Sequence, residues 1–484
     1  MSFHRPSRLA RYSSPLALFA AILLLGTAFS EVAQAQQTTP LRGSVATAPR
    51  SDLEKSQLGV LALGNNLTLE AVLERALQEN PEILAALARV DAAAERPGQA
   101  HSLPDPIISG ILRNVGFGGI TIGDEMMSQA GIRFTQAMPY KGKRDLKATV
   151  AERGIDVSTS QLALIMRRVV REVAEAYFEL RYLDEAIDIV EDTRDYLISL
   201  EQTAEARYAV GEGIQQDVLK AQVETSILLD RLVRLDQQRN SVETGLNRLL
   251  DRPVSADLGA PLEISVPDWN LTLQTLEADA VASSAILREK ARRVGQRQAT
   301  LEFARLDTKP DWILSGAWMS RGQLPDIWEV NVGITLPIYK GNKQERAIVE
   351  AEAEVRASRL DHRDSTGIVT AAVRDHYLRA DRAARLQELY GGAIIPQATL
   401  SLESAAAGYE VGRVDFLTVL DNVVTLFTYQ LEYYRQRADY MQALAGMEEH
   451  VGHSIGAIPA SIMNRLPTAA IDFENMRPTL GGDR

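Results

Sequence analysis

Two stretches of the chain alternate apolar and polar residues with a period of two. In the clearer one, Trp328, Val330, Val332, Ile334 and Leu336 fall on one side, and Glu329, Asn331, Gly333 and Thr335 on the other. That is the pattern of a β-strand with one apolar and one wet face. Pro337 ends it, and Tyr339-Lys340-Gly341 turns into a long Ala/Glu/Arg-rich run that reads as helix. The same handover occurs earlier, where Ile132 and Phe134 alternate with Arg133 and Thr135 before Pro139, and Tyr140-Lys141-Gly142 opens another helical run. Each of these strands has a partner upstream. The expected strands are about 107–113, 129–138, 311–319 and 327–337, and Pro139, Gly142, Pro337 and Gly341 make the strand-to-helix turns.

The helical runs carry a different rhythm. No proline lies between Pro139 and Pro253, and apolar residues recur at Leu162, Met166, Val169, Val173, Ala176, Leu180, Leu183, Ile187 and Val190. A second register covers Leu228, Leu232, Leu235, Val242, Leu246 and Leu249, with Arg239 where an apolar residue is due. Spacing that averages 3.5 residues is the coiled-coil signature. A helix over about 144–210 would be ~100 Å long at 1.5 Å per residue. It breaks at Tyr208-Ala209-Val210-Gly211-Glu212-Gly213, read as a hairpin tip. Upstream, Thr68 is a suitable N-cap for a helix from Leu69, Asn80-Pro81 interrupts it, and a second helix covers about 82–99.

The chain then repeats itself. Leu73-Glu74 and Ile83-Leu84 recur as Leu276-Glu277 and Ile286-Leu287, Pro104-Asp105 as Pro310-Asp311, and Tyr140-Lys141-Gly142 as Tyr339-Lys340-Gly341. Tyr208-x-Val210-Gly211 recurs as Tyr409-x-Val411-Gly412, and Val218-Leu219 as Val419-Leu420. The order is kept throughout, so we read one duplicated unit of helix, strand, loop, strand, long helix, tip and long helix. The expected organisation is a signal peptide over 1–35, an extended leader over 36–66, a first repeat over 67–252 and a connector over 253–271. A second repeat covers 272–455, with helices over about 343–451 kinked at Pro396, and a Pro/Gly-interrupted, partly disordered tail covers 456–484.

Composition narrows the possibilities. The N-terminus has Arg5, Arg8 and Arg11, then an apolar run over Leu16 to Leu25, then Ala33-Gln34-Ala35 as a cleavage site. No later segment has 18 consecutive apolar residues, so an exported chain of this kind crosses a membrane only as a β-barrel. There are no cysteines, which excludes disulfides and thiolate metal sites. The formal charge of -12 argues against nucleic acid as a partner. Three of the four tryptophans, Trp312, Trp318 and Trp328, fall at expected strand ends, as membrane-interface aromatics do. No cofactor is expected and no residues suggest catalysis, so the chain does not read as an enzyme. His450 and His453 stand at i, i+3 but lack further metal ligands, and no metal site is expected. Four strands of this length match membrane strands but cannot close a barrel, so self-association is required.

The chain resembles the TolC family of outer membrane efflux proteins over nearly its whole length after residue 35. The resemblance lies in LTLEAVLERALQENPEI (67–83), LPDP (103–106), MPYKGKR (138–144), ARYAVGEGIQQDVLKAQ (206–222) and AGYEVGRVDFLTVLDN (407–422). It implies a mainly α fold with a membrane β-barrel, formed as a homotrimer. A twelve-stranded barrel in outer membrane lipid would be continued by a long periplasmic α-helical barrel. It implies a passive exit duct joined through a periplasmic adaptor to an inner-membrane pump of the RND type, with LPDP and GKR closest to the heavy-metal branch. Val210-Gly211 and Val411-Gly412 match adaptor-docking tips. In the periplasmic gate, Asp217 matches an acidic member and Tyr409 its tyrosine partner. The family's arginine falls at Val414, with Arg413 adjacent. Two acidic ring positions read Thr418 and Asp421 here, with Asp415 nearby. The readings left open are the same duct serving type I protein secretion, and a soluble periplasmic coiled-coil rod or adaptor.

Overall fold

Asparagine at position 80 shows how closely local chemistry sets the element boundaries. Its Oδ1 accepts the amides of Glu82 and Ile83 at 2.9 and 3.2 Å, and its Nδ2 donates to the Leu249 carbonyl at 2.8 Å. It thereby caps one helix and ties it to the end of another. The computed structural model describes residues 66–114, 121–263, 265–267 and 269–467. The expected signal peptide, all but the last residue of the leader and the end of the tail lie outside these residues.

A short strand β1 (Asn66–Leu67) precedes α1 (Leu69–Glu79), α2 (Pro81–Ala94) and α3 (Arg96–His101). The single helix expected over 82–99 is therefore two. Pro97 lacks the amide that would bond to Ala93 and its ring crowds that carbonyl, so the helix restarts at Arg96. Next come β2 (Ile107–Arg113), β3 (Gln129–Met138), α4 (Lys143–Ala209), α5 (Gln215–Leu249), β4 (Ala260–Pro261), α6 (Leu273–Ser283) and α7 (Ala285–Leu306). The second part holds β5 (Asp311–Arg321), β6 (Leu324–Thr335), α8 (Gln344–Leu389), α9 (Ile395–Glu410), α10 (Phe416–Val451) and α11 (Ala460–Met463). Strands β2 and β3 have the expected bounds. Strands β5 and β6 reach further toward each other, because a two-residue turn at Gly322-Gln323 carries Arg321 and Leu324 into the ladder. Gly322 sits at φ +68°, where a side chain would be strained.

The chain divides into two units. One holds residues 103–140 and 310–336 among those described, and is an antiparallel sheet in the order β2-β3-β5-β6. Its register stacks rows across the strands. One row is Ile108, Phe134, Gly316 and Val330, and another is Gly110, Ile132, Trp318 and Trp328. These rows belong to an exposed apolar face: Trp328 is 78% accessible and Val330 75%. The opposite face carries Ser109, Arg133, Ala317 and Glu329 in one row.

The second unit is helical. Helix α4 runs 67 residues without a break, and its heptad residues Leu162, Val169, Val173, Leu180, Leu183 and Val190 are buried as the spacing requires. Arg239 interrupts the register of α5 without leaving a charge unpaired. It bonds Asp184 on α4 at 2.7 Å and Glu243 one turn on at 3.1 Å. The kink expected at Pro396 takes the form of a single π turn over Tyr390–Ile394 between α8 and α9. The wider turn absorbs the residue whose amide is missing. The start of the expected tail is not loose. Buried Glu448 accepts the amides of Ile455, Gly456, Ala457 and Ile458 at 2.6 to 3.0 Å. Ile458, Ile462, Met463 and Leu466 then pack into the core.

Candidate functional site: the hairpin tips and the two-faced sheet

Two helical hairpins, α4–α5 and α9–α10, end in turns with matching backbones. Val210 has φ -94° and ψ 3°, and Val411 has φ -95° and ψ 10°. Gly211 and Gly412 follow at φ +76° and +71°, the left-handed region where glycine carries no steric penalty. In both turns one carbonyl collects two amides. Arg207 O accepts from Glu212 and Gly213 at 2.9 and 3.1 Å, and Gly408 O accepts from Arg413 and Val414 at 2.8 and 3.3 Å. Val210 and Val411 project into solvent, 73% and 68% exposed. Each tip thus presents an apolar side chain beside a bare stretch of backbone.

Behind the tips the two hairpins share one core. Leu197, Leu200 and Ala204 of α4, Ala221 and Leu228 of α5, and Tyr409, Phe416, Val419, Leu420 and Val423 of α9 and α10 are buried together. Tyr409 is 6% exposed, with its ring edge-on to Phe416 at 5.9 Å between centroids. The expectation for Tyr409 was a polar gate partner. Within the chain it is a packed aromatic, covered by the guanidinium of Arg207 4.6 Å from its centroid. Arg207 also donates to the Tyr409 carbonyl. The position matching Tyr409 in the first hairpin, Tyr208, is exposed.

The remaining tip residues separate into groups. Asp217, half-buried in the first turn of α5, has its carboxyl pushed up by burial and then by the Asp415 carboxylate, against the pull of Arg207. Asp415 caps α10: its Oδ1 accepts the Thr418 amide at 2.8 Å, and these hydrogen bonds hold its pKa below the usual value. Thr418 and Asp421 follow one turn apart on the same side of α10. The Thr418 carbonyl accepts from Asn422 at 2.7 Å, and Asn422 in turn accepts from Ser401 on α9 at 2.6 Å. Asp421 and the Arg413 guanidinium are exposed and have no partner among the described residues. The structure therefore gathers Asp217, Asp415, Tyr409 and Arg207. It leaves Arg413 and Asp421 apart, facing solvent. Arg207 was not legible as a site residue, although it is the one basic residue in the last turn of α4.

At the sheet, Glu329 is held by Arg133 at 3.1 Å and Arg113 at 3.6 Å. Arg133 reaches it past Ala317, the small residue between them in the row. Trp318 and Trp328 stand directly opposite each other inside their strands rather than at the ends, while Trp312 lies near the other end of β5. Six residues separate Trp312 from Trp318, about 20 Å along a strand. At the strand-to-helix turns, Gly142 sits at φ +92° against Leu306, the Pro337 carbonyl accepts from Lys340, and the Tyr339 carbonyl accepts from Asn342 and Lys343. Pro139 and Gly341 lie in the same two turns, between β3 and α4 and between β6 and α8. Among the described residues no helix is long and apolar enough to cross a membrane.

Comparison with known proteins fits these features. The profile of the family described as "Outer membrane efflux protein" matches residues 72–252 and 278–453. The chain is 24% identical over 396 residues to the cobalt-zinc-cadmium resistance protein CzcC of Cupriavidus metallidurans, covering 80% of this chain and 90% of that protein. It is 23% identical over 409 residues to the outer membrane protein TolC of Vibrio cholerae, covering 79% and 90%. Among solved structures, the fold superposes on the outer membrane protein VceC of Vibrio cholerae with a TM-score of 0.67 at 16% identity, covering 80% of this chain and 96% of that one. A membrane protein from Pseudomonas aeruginosa superposes with a TM-score of 0.70 at 16% identity, covering 81% and 92%. With both parts of the chain matched, this protein belongs to the outer membrane efflux protein family, whose members are outer-membrane channels and not enzymes.

Proposed function

We propose that the chain is the exit duct of a tripartite efflux system, passively conducting cargo across the outer membrane. The observation that carries this reading is the sheet. Its exposed face is apolar apart from Asp326, which accepts from Trp318 near the β5–β6 turn. Arg113, Arg133 and Glu329 lie on the other face, and the outer edges of β2 and β6 have no strand partner among the described residues. Lipid tolerates such a sheet only when the edges are joined to copies of itself. Three chains supply twelve strands, with the Arg133–Glu329 face lining a wet lumen. The spacing between Trp312 and the Trp318–Trp328 pair suits two aromatic girdles at the faces of the membrane.

In this reading the chain is a duplicated unit, supported by the matching dihedral angles of the two tips and by the two matched family segments. Residues 1–35 are a signal peptide. The hairpins form a periplasmic barrel whose exposed Val210-Gly211 and Val411-Gly412 turns receive an adaptor, which links the duct to an RND pump. Asp421 and Thr418 line the narrow mouth, with Asp217 and Asp415 behind. The resemblance to a cobalt-zinc-cadmium resistance protein supports a metal-cation cargo.

Single-channel recording of the detergent-purified protein in a planar bilayer tests the reading. Small, cation-preferring openings from a species that crosslinks as a trimer are expected. A folded protein that stays monomeric and conducts nothing would overturn the duct and favour a soluble rod.

A further inference from the structure

Near the start of α7 and the end of α10, the helical core holds a cation with no hydrogen-bond partner among the described residues. Arg167 of α4 is 2% exposed, and none of its three guanidinium nitrogens has a hydrogen-bond partner among the described residues. A buried charge left in that state is strongly unfavourable, so something must satisfy it.

Ion pairs fix what surrounds it. Helices α4 and α7 run antiparallel, with Lys143 3.2 Å from Asp307 and Asp156 3.6 Å from Arg292. Continued along α4, that register brings Arg167 level with residues 281–283, one to three positions before Ser284, the N-cap of α7. Helices α4 and α10 are also antiparallel, with Arg171 2.5 Å from Glu449 and Glu179 2.8 Å from Arg435. That register brings Arg167 level with Gly452, which ends α10. The two placements agree, because a side chain on Gly452 would meet Ser283 at 3.0 Å.

The side chains at the junction supply more free donors than free acceptors. Helix α7 is 22 residues long, and no side chain caps its N-terminus. Its N-cap Ser284 is 2% exposed, and its hydroxyl is unbonded. Arg288, one turn into α7, adds a second cation and uses the Ser283 carbonyl at 3.2 Å. The carboxylates within reach are engaged: Glu449 and Glu175 bond Arg171, and Glu289 bonds Arg293. Burial first and Arg288 second lower the Arg167 pKa to about 10, with Glu449 resisting, so the guanidinium is charged at neutral pH.

We infer that Arg167, the Ser284 hydroxyl and the first amides of α7 form a buried site for a small inorganic anion of the halide class. A helix N-terminus supplies amides and a positive dipole end, and the guanidinium supplies the balancing charge. A halide suits an enclosed site, since it occupies little more than a water molecule and accepts N–H and O–H donors from any direction. Bound there, it pins the start of α7 to α4 and to the end of α10.

The test is unfolding of the purified full-length protein, followed by helical circular dichroism, in sodium chloride against sodium gluconate at constant ionic strength. A ligand of the folded state raises the midpoint by mass action. A midpoint that climbs with chloride is expected, with the climb lost in Arg167→Met. In Ser284→Ala, the loss of one hydrogen bond should shift the chloride dependence about tenfold higher in concentration. Bromide soaked into crystals of the unaltered protein needs no variant, and should give an anomalous peak between the Arg167 guanidinium and Ser284 Oγ. A chloride-independent midpoint, bromide at surface positions only (an adventitious ion only), or water density at the junction would each overturn the site.

Discussion

Arg207 and Tyr409, 202 residues apart in sequence, join the two hairpins just behind their tips. The guanidinium lies over the ring and donates to the same residue's carbonyl. The tyrosine hydroxyl has no partner among the described residues, so the ring and the backbone make the contact. Tyr409→Phe should therefore leave stability within about 0.5 kcal/mol, whereas Tyr409→Ala should cost about 3 kcal/mol by opening a cavity beside Phe416. Equilibrium unfolding of both variants checks the contrast.

Gly211 and Gly412 both occupy left-handed backbone, and a side chain there costs about 1–2 kcal/mol. A Gly211→Pro, Gly412→Pro double variant also fixes φ at the wrong sign. If the tips dock an adaptor, export should stop while trimers still assemble in the outer membrane. Normal export from that strain would remove the docking role.

Asp421 is an exposed carboxylate in the second turn of α10 with no ion-pair partner among the described residues. In Asp421→Ala, block of the conductance by multivalent cations should weaken by at least tenfold. Block that is unchanged in planar-bilayer recordings would take Asp421 out of the mouth.

The two faces of β6 can be told apart with one substitution on each. Val330→Lys places a charge on the exposed apolar face and should cost about 2–4 kcal/mol in lipid. Asn331→Lys lies on the face of Glu329, which already holds two arginines, and should be tolerated far better. The yield of folded trimer in outer-membrane fractions reads the difference.

Acid should loosen the helical unit through His376. Its ring lies 6.3 Å from that of His450 and close over Gly446, and burial first, His450 second, lower its pKa to about 4. In the unfolded chain the imidazole titrates near 6.5. Above that pH both states are neutral and nothing is lost. As pH falls from 6.5 toward 4, only the unfolded chain gains the proton, and stability drops by at most about 3 kcal/mol. In His376→Leu this part of the pH dependence should flatten, as measured by denaturant midpoints from pH 7 to 4.5.

Much of this was legible in the chain alone, for physical reasons. Strand β3 alternates apolar and polar residues before Pro139, β2 follows the Pro104-Asp105-Pro106 turn, and both ended where expected. The heptads of α4 and α5 predicted their buried seam, and even Arg239 was visible as an anomaly. Its resolution was not, because Asp184 lies 55 residues away and only the folded hairpin brings it near. The same holds for Arg207 and Tyr409, and for Glu448, three of whose four amide partners lie in the segment that read as tail. The break at Pro97 is written in the chain as well, but the helical rhythm that continues through it masks the stop.

The long helices of the two hairpins also differ as mechanical members. In the first, α4 is one uninterrupted 67-residue strut. In the second, the matching run contains the π turn at Tyr390–Ile394, with Gly391 and Gly392 inside it and Pro396 just after. A Cβ on Gly391 would press on the Tyr433 ring at 3.0 Å, and without one the ring of one helix lies against the backbone of the other. A beam with one such joint concentrates bending there and stays straight elsewhere. A π turn that bends more easily than the α-helix on either side would convert force at the Val411 tip into rotation there, whereas α4 would carry force at the Val210 tip along its length.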